Sequence, residues 1–358
     1  CSVLETINEN FPYIRISSKD AGKQNHKSLP YLSEILTLEA LKEIIENTRF
    51  YISTVSSLYT TNEIFELVKF DILILDEASQ VLETQIVGII SKVDKFILIG
   101  DEKQLPAIVL QNEEMPEKSE NNLKSFSHSL LSKLLKNARE NDWTEVYSTL
   151  TQQGRMNKKI QDLANYLFYD GQLQVIEDNY NQIKEFSDYI YDYDEFLKSV
   201  LSDRVVFVNT PAEQNVKFNK FEVNFIAKFV EKFVSFNKEN FTNQTIGIIS
   251  PFRLQCREII KRIPENYQNS ILVDTVERYQ GSERDVIILS MGTNYGTLLK
   301  MVSNEIEIDN KIIDRKLNVA ITRAKEHLII LGNEQLLSNS TVYSNLIKWI
   351  KQNGKIIT

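Results

Sequence analysis

The sequence predicts an α/β fold made of two doubly wound domains, each with a mainly parallel sheet. Short apolar runs of strand length alternate with amphipathic segments of helix length along the whole chain. The alternation occurs in the first half and again in the second, and no low-complexity repeat interrupts it. A length of 358 residues fits about two to three domains. These observations together indicate helices packed on both faces of two open sheets.

The first domain is expected to span residues 1–149. Its strand candidates are residues 13–16, 50–55, 72–75 and 96–99, with a helix at residues 36–45 between the first two. The run from Ile72 to Leu75 is apolar without a break, which indicates a strand buried on both faces of a parallel sheet. A polar, acidic and mobile loop is expected at residues 113–127, and a helix at residues 129–137 follows it.

The second domain is expected to span residues 150–358 and to repeat the pattern. Apolar residues recur at the 3.6-residue spacing of a buried helix face over residues 222–234. Aromatic and acidic residues fill the tract 180–203, where core packing is favoured over stacking on bases. The strand candidates are residues 205–208, 245–249, 271–273, 286–289 and 328–331.

The composition excludes several classes of protein. No apolar run approaches the roughly 18 residues of a membrane span, so no membrane partner is expected. Cys1 and Cys256 lie far apart, which fits a protein of the reducing cytoplasm rather than a disulfide framework. Three histidines and no Cys/His cluster argue against structural zinc.

The net charge of −8 is unusual for a nucleic-acid-binding protein, because phosphate contacts require a basic surface. The local charge is different, since Arg253, Arg257, Lys261 and Arg262 lie close together with Glu258 as the one acid among them. These residues form either a basic footprint for nucleic acid or an ordinary solvated helix face, and charge alone favours neither.

Two adjacent carboxylates, Asp76 and Glu77, follow the apolar run at residues 72–75. Ligands bind where the strands of a parallel sheet end, so these carboxylates are expected at a functional edge. A nucleotide hydrolase needs one carboxylate to hold Mg²⁺ and a second group to orient or deprotonate the attacking water. Without further motifs, an acidic doublet on a solvated surface is the commoner explanation of such a pair.

Further motifs follow along the chain. Residues 100–106 read GDEKQLP and residues 152–156 read QQGRM. Residues 274–289 read DTVERYQGSERDVIIL, and residues 317–325 read LNVAITRAK. Together with DEASQ at residues 76–80, this set resembles the motor motifs of superfamily 1 helicases. More narrowly, it resembles the branch that contains the nonsense-mediated-decay helicase and the nuclease-linked helicases of DNA replication.

The resemblance implies two RecA-like motor domains that bind ATP and Mg²⁺ in the cleft between them and couple hydrolysis to movement on single-stranded DNA or RNA. It assigns Asp76 to Mg²⁺, Glu77 to the general base and Gln104 to the sensing of the γ-phosphate. Arg155 and Arg323 match the two arginine fingers, which neutralise the charge that develops during hydrolysis.

Other matched positions are expected to contact the nucleotide or the nucleic acid. Gln80 is expected to cap the turn, to bridge to the water or only to satisfy buried backbone groups. Gly281 and Glu283 match positions that touch the phosphate and the ribose. The segment from Ser250 to Arg253, with Gln255, resembles the TPYRxQ block of the family. The candidate nucleic-acid contacts are Thr54, Ser250, Arg253, Thr275 and Thr322. Hydroxyl and guanidinium groups suit phosphate oxygens, so weak sequence preference and steep salt dependence are expected. The branch generally moves from 5′ to 3′.

The phosphate-binding loop G-x-x-x-x-G-K-[ST] does not occur in the sequence, because neither Gly22-Lys23 nor Gly354-Lys355 is followed by Ser or Thr. The resemblance therefore implies a first motor domain truncated at its N-terminus and an upstream segment of the same protein that carries the loop. Such a piece is expected neither to bind ATP tightly nor to hydrolyse it. The sequence also departs from the family at Gln153-Gly154, where QYR is usual, and at Ala107, where a second Pro is common.

Two other interpretations remain open. One is a non-catalytic clamp that binds nucleic acid without a phosphate loop, although a clamp has no use for hydrolytic groups. The other is a regulatory subunit that another chain completes. DNA and RNA stay undistinguished as substrates, since no motif encodes a 2′-hydroxyl contact. Accessory domains that specify a pathway would lie outside these residues.

Overall fold

A computed structural model describes residues 11–17, 26–107, 129–176, 193–213, 218–308 and 311–358. The chain divides into two compact units. The first comprises Cys1–Glu102 and Pro106–Val146, and the second comprises Lys103–Leu105 and Tyr147–Thr358. The predicted mixed α/β class is confirmed. The loop expected at residues 113–127 and most of the aromatic tract at 180–203 lie outside the described residues.

The first unit contains short strands and helices in alternation. The bounds are β1 Ile14–Ile16, α1 Leu29–Ile35, α2 Leu38–Asn47, β2 Tyr51–Ser53, α3 Val55–Thr60, α4 Ile64–Leu67, β3 Ile72–Leu75, a 3₁₀ turn Ala78–Gln80, α5 Glu83–Ile90, β4 Lys95–Leu98, α6 Leu130–Glu140 and a 3₁₀ turn Thr144–Val146. The helix expected at residues 36–45 begins instead at Leu38, because the Thr37 hydroxyl accepts a hydrogen bond from the Ala40 N–H and caps it.

The strands of the first unit form two separate parallel pairs, β1 with β2 and β3 with β4. The prediction that residues 72–75 are buried on both faces is wrong for this chain, since Ile72 and Ile74 are 52% and 62% exposed. Phe96 and Ile97 of β4 are exposed as well. Among the described residues β3 pairs with β4 alone, so a sequence apolar enough for a buried strand leaves one face without a packing layer.

The second unit repeats the alternation with longer elements. The bounds are β5 Gln152–Gln153, α7 Lys158–Ala164, a π-helix Asn165–Tyr169, β6 Gln174–Val175, α8 Glu195–Val200, β7 Val205–Asn209, α9 Lys220–Phe236, β8 Ile246–Ile249, α10 Arg253–Arg262, α11 Glu265–Gln268, β9 Leu272–Asp274, α12 Val276–Tyr279, β10 Arg284–Ser290, a 3₁₀ turn Gly296–Leu298, α13 Leu299–Val302, β11 Glu305–Ile308, β12 Lys311–Asp314, α14 Arg315–Ile321, β13 Ala324–Gly332, α15 Glu334–Leu337, α16 Thr341–Asn353 and β14 Lys355–Ile357.

A six-stranded parallel sheet forms the centre of the second unit, in the order β14-β7-β13-β10-β8-β9. Helices cover both of its faces, as the alternation along β10 shows. Ile287 and Leu289 pack into one core with residues of α7, α14 and α16, whereas Val286 and Ile288 pack into the other with residues of α9 and α10. The predicted doubly wound architecture is therefore present here.

The carboxyl ends of these parallel strands meet at one edge of the sheet, where a parallel α/β sheet binds its ligands. Ser250 follows β8, Thr275 follows β9, and Ser290 ends β10. Along the described residues, no helix combines the length and the apolar composition that crossing a bilayer requires.

Candidate functional site

A tight turn after β3 presents Asp76 and Glu77 to solvent. One Asp76 carboxylate oxygen accepts a hydrogen bond from the Glu77 N–H at 2.9 Å. Glu77 has φ of 52°, a left-handed conformation that a residue with a side chain rarely adopts and that costs about 1 kcal/mol or more. The Gln80 amide donates to Glu77 Oε2 at 2.7 Å and so restrains that carboxylate. Hydrogen bonds within the turn therefore restrain the Asp76 and Glu77 carboxylates at the end of β3.

Gly100, the first residue of the GDEKQLP motif, packs against this turn. A Cβ built on Gly100 would lie 2.8 Å from Leu131 Cδ2 and 3.0 Å from the Ser79 nitrogen, so glycine is required for this packing. The Ala78 N–H donates to the carbonyl of Ile99, the residue just before GDEKQLP, at 2.8 Å. DEASQ and GDEKQLP thus contact each other through backbone, which neither motif alone could show.

Asp76, the residue that the family resemblance assigns to Mg²⁺, is an exposed carboxylate at the end of β3. The described residues contain no group of three or more His, Cys, Asp or Glu side chains arranged to hold a metal. Mg²⁺ bound with a nucleotide commonly takes one or two carboxylates and completes its shell with phosphates and water. Asp76 fits that requirement. Gln104 is half-buried and belongs, with Lys103 and Leu105, to the second unit.

A second cluster gathers residues from three motifs of the second unit. The Arg155 guanidinium pairs with Glu283, Nε to Oε2, at 2.5 Å, although the two residues lie 128 positions apart. Arg155 Nη1 also donates to the Thr322 carbonyl at 3.3 Å. The Arg155 and Glu283 side chains are 35% and 41% exposed, so the pair contributes little to stability. Its significance is that three separate motifs converge on one place.

Arg323 lies in the interior beside this cluster and is 3% exposed. Its Nε donates to the Val319 carbonyl at 3.1 Å, and its Nη2 donates to the Thr322 hydroxyl at 3.1 Å. Nη1 reaches the Ser282 carbonyl at 3.5 Å. These acceptors hold the buried guanidinium in one orientation. Such a group either stabilises the fold or places a positive charge beside a ligand.

Gly281 adopts φ of 76°, which favours glycine, and a Cβ built on it would meet no atom within 4 Å. Backbone conformation rather than crowding therefore requires glycine here. Gln153, at the position where the family has QYR, uses its Oε1 to accept from the Arg155 and Met156 N–H groups at 2.9 and 2.7 Å. Gly154 stands where the family has Tyr, and the Gln153 side chain beside it holds the backbone at Arg155 and Met156.

The candidate nucleic-acid contacts fall into three places. Ser250 and Thr275 are neighbours, because the Ser250 N–H donates to the Asp274 carbonyl at 3.2 Å, and Arg253 begins α10 next to them. Thr322 lies elsewhere, in the arginine cluster, where its buried hydroxyl donates to the Asn318 carbonyl at 2.9 Å. Thr54 belongs to the first unit and caps α3.

The basic segment predicted after β8 is a helix, α10. Arg253, Arg257 and Lys261 follow each other at four-residue spacing and are all exposed on one side of it. Lys261 pairs with Glu258 at 2.7 Å, and the Arg262 guanidinium donates to the Asn224 side chain at 2.8 Å. The exposed side of α10 next to Ser250 is therefore basic at its N-terminal end.

Sequence reasoning missed Glu222, near the start of α9. Its side chain is fully buried, with one oxygen accepting from the Ser290 hydroxyl at 2.6 Å and from the Gly292 N–H at 2.9 Å. The other oxygen accepts from the Thr210 hydroxyl at 3.1 Å. The signal in the sequence is a carboxylate three residues after Asn219, the N-cap of a helix that is otherwise apolar at its buried positions.

Burial raises the pKa of Glu222 from its ordinary value of 4.5 to about 7. Hydrogen bonds from Ser290, Gly292 and Thr210 act in the opposite direction, and the negative charge of Glu213 raises the pKa. The folded protein therefore holds a proton on Glu222 at a pH where the unfolded chain has released it.

The stability of the second unit is expected to fall as the pH rises from about 4.5 to about 7. Protonation of Glu222 stabilises the fold fully below its ordinary pKa of 4.5, and this stabilisation, about 3 kcal/mol in all, is lost as the pH passes the folded value of about 7. Glu222→Gln does not titrate. Thermal denaturation should therefore show wild type losing stability relative to Glu222→Gln across this range. The exposed Glu231→Gln on the same helix should show a constant difference, and a constant difference for Glu222→Gln would contradict the assignment.

Comparison with known proteins agrees with the motif pattern. Models of the AAA domain match residues 14–112 and 126–335. An uncharacterised ATP-dependent helicase of Methanocaldococcus jannaschii is 31% identical over 345 residues, covering 92% of this chain and 45% of that protein. The DNA replication ATP-dependent helicase/nuclease DNA2 of Bos taurus is 30% identical, covering 89% of this chain and 30% of that protein.

The DNA polymerase alpha-associated DNA helicase A of Saccharomyces cerevisiae is 27% identical, covering 97% of this chain and 50% of that protein. The chain thus spans between about a third and a half of the length of these relatives. The two AAA-domain matches cover the motifs of both units, including the carboxylate turn and the arginine cluster. The chain therefore belongs to the superfamily 1 helicases, in the branch that contains the DNA2-type and nonsense-mediated-decay helicases.

Proposed function

We propose that this chain is the motor portion, apart from the phosphate loop, of an ATP-dependent helicase or translocase that moves on single-stranded nucleic acid. One observation carries the proposal most strongly. Arg155, Glu283 and Thr322 come from separate motifs and meet within hydrogen-bonding distance, with Arg323 beside them. A clamp that only binds nucleic acid has no need for two guanidinium groups brought to one position with a carboxylate.

The residue roles follow the chemistry of phosphoryl transfer, which depends on positioning and charge neutralisation. Asp76 would hold Mg²⁺ together with the phosphates of ATP, and Glu77 would accept the proton of the attacking water. Gln104 would respond to the γ-phosphate, and Arg155 and Arg323 would neutralise developing charge. Gln80 would restrain Glu77 or the water, while Gly281 and Glu283 would contact the phosphate and the ribose.

The proposal requires a phosphate loop that these 358 residues do not contain as G-x-x-x-x-G-K-[ST]. We propose that an upstream segment of the same protein supplies it, so that this portion alone neither binds ATP tightly nor hydrolyses it. The exposed apolar side chains of β3 and β4 support further polypeptide packing on the first unit. Functional tests therefore belong on the full-length protein.

Nucleic-acid binding is proposed at the carboxyl edge of β8 and β9, where the exposed Arg253 would contact phosphate. Ser250 and Thr275 are buried, so they would support this edge from within, and Thr54 would contribute from the first unit. The hydroxyl of Thr322 is internal, so it would contribute by supporting Arg323 rather than by contacting phosphate. Contacts to the phosphate backbone of a nucleic acid do not depend on its base sequence. The family resemblance supports movement from 5′ to 3′. Whether the substrate is DNA or RNA is a question for experiment.

Arg253→Ala in the full-length protein is expected to weaken binding to single-stranded DNA or RNA by about tenfold, uniformly across sequences. It should also reduce the slope of log Kd against log salt concentration by roughly one, the change expected when one phosphate contact is lost. Fluorescence anisotropy of a labelled oligonucleotide over a salt titration measures both. Lys348→Ala is the matched control, because Lys348 is exposed on α16, which packs on the opposite face of the sheet from α10. A wild-type affinity insensitive to salt would contradict this interface.

A further inference from the structure

The buried carboxylate of Glu222 belongs to a hydrogen-bond relay that ends at the start of α10. Ser290 donates its hydroxyl hydrogen to Glu222 and accepts from Gln255 Nε2 at 2.9 Å. Gln255 lies in the first turn of α10, two residues after Arg253, and is itself fully buried. The relay therefore runs from α9, across the end of β10, to the helix that presents Arg253.

Gln255 also bonds to Asn219, the N-cap residue of α9. The Asn219 N–H donates to Gln255 Oε1 at 2.8 Å, and Gln255 Nε2 also donates to the Asn219 carbonyl at 3.2 Å. The Asn219 side chain donates to Asn294 Oδ1 at 3.0 Å and caps the helix that carries Glu222. The Gln255 amide oxygen thus accepts from Asn219, and its nitrogen donates to both Asn219 and Ser290, which leaves the amide one orientation.

The relay also fixes backbone at the edge of the sheet. Gly292 has φ of 58°, and a Cβ built on it would lie 3.3 Å from the Gln255 side chain and 3.3 Å from Phe252 Cδ2. Its N–H donates to Glu222. The chain leaving β10 is therefore pressed against the first turn of α10 and tied to the same carboxylate. Buried polar networks that are fully satisfied rigidify the elements they join.

We propose that Glu222, acting through Ser290 and Gln255, is a positioning residue that sets the first turn of α10 and so aims Arg253 at a nucleic-acid phosphate. This inference rests on the proposed function, because Arg253 is the group whose placement it explains. Apolar side chains fill the other buried positions of α9, and burying polar groups costs free energy unless each is hydrogen-bonded, so filling the core does not by itself explain this network.

The mildest test is Ser290→Ala, which removes the hydroxyl that joins Glu222 to Gln255 and leaves both of those side chains in place. The probe is a fluorescent single-stranded oligothymidine, and the readout is Kd by anisotropy on the full-length protein. We expect the Kd to rise about fivefold, since one hydrogen bond in the relay is lost. Ser235→Ala is the matched control, because Ser235 is exposed on α9 and bonds only to the Lys232 carbonyl among its described contacts.

A double-mutant cycle separates positioning from general stability. If the relay acts through Arg253, Ser290→Ala should have almost no effect on Kd in an Arg253→Ala background, whereas a purely structural effect would be additive. Glu222→Gln keeps an acceptor oxygen and should stay within about threefold of wild type, while Glu222→Met should match or exceed the loss in Ser290→Ala. Additive effects in the cycle, or wild-type affinity in Ser290→Ala, would overturn the proposal while leaving nucleic-acid binding intact. A wild-type protein without affinity for the oligothymidine would overturn the proposed interface as well.

Discussion

Arg323→Ala in the full-length protein is expected to lower the nucleic-acid-stimulated ATPase rate by about a thousandfold or more, because a guanidinium that neutralises the γ-phosphate acts mainly in the transition state. The Kd for ATP should change far less than kcat. Steady-state hydrolysis at saturating ATP, with equilibrium binding of a nucleotide analogue, measures both. Arg323→Lys should remain strongly impaired, since an ammonium group cannot reproduce the planar fork of the guanidinium.

Arg323 could instead serve only to stabilise the fold, and measuring stability beside turnover separates the two roles. Its guanidinium lies in the interior with the Val319 carbonyl and the Thr322 hydroxyl as acceptors. If Arg323 served only the fold, its replacement would lower the thermal-denaturation midpoint and reduce ATP binding and turnover together. A variant that keeps the wild-type midpoint and loses kcat alone assigns Arg323 to hydrolysis. A stable variant with undiminished kcat would remove it from the site.

Glu77→Gln is expected to lower the ATPase rate by roughly a hundredfold to ten-thousandfold, the range that a positioned general base contributes. The substitution changes shape little, so the strained turn and its bond to Gln80 should persist. ATP binding should therefore survive, and the variant should hold nucleotide and nucleic acid together for longer than wild type. Single-turnover hydrolysis measures the loss, and oligonucleotide release measures the retention.

The matched control for this substitution is Glu66→Gln, since Glu66 is an exposed acid on α4 of the same unit. Its ATPase rate should equal that of wild type. If Glu77→Gln kept most of the wild-type rate, the general base would have to be another group, and the left-handed turn at Glu77 would be explained by chain reversal alone.

Five of the six strands in the central sheet of the second unit could be predicted, because each of the five carries its own apolar signal. Residues 205–208, 246–249 and 286–289 carry only apolar residues or glycine, and they are buried on both faces in the structure. The run at residues 72–75 has the same signal but is half exposed. Periodicity reports which residues are able to be buried. It does not report whether the packing partners lie within the same stretch of chain.

The motifs name candidate site residues one by one, but they do not show how those residues are arranged. The motifs identified Arg155, Glu283 and Arg323 separately, yet only the folded chain shows that Arg155 pairs with Glu283. Glu222 was missed because a single carboxylate on a helix normally indicates a solvated position. Its bonds come from the chain after β7, from the end of β10 and from the chain after β10. Contacts between distant elements leave no local pattern in the sequence.

The most direct test of the motor assignment is the rate of ATP hydrolysis by the full-length protein as single-stranded DNA or RNA is titrated into it. The proposed mechanism predicts a saturable stimulation in wild type that weakens as salt is added, and a near-flat response in Glu77→Gln. Turnover that no nucleic acid changes, or equal turnover in wild type and Glu77→Gln, would contradict it.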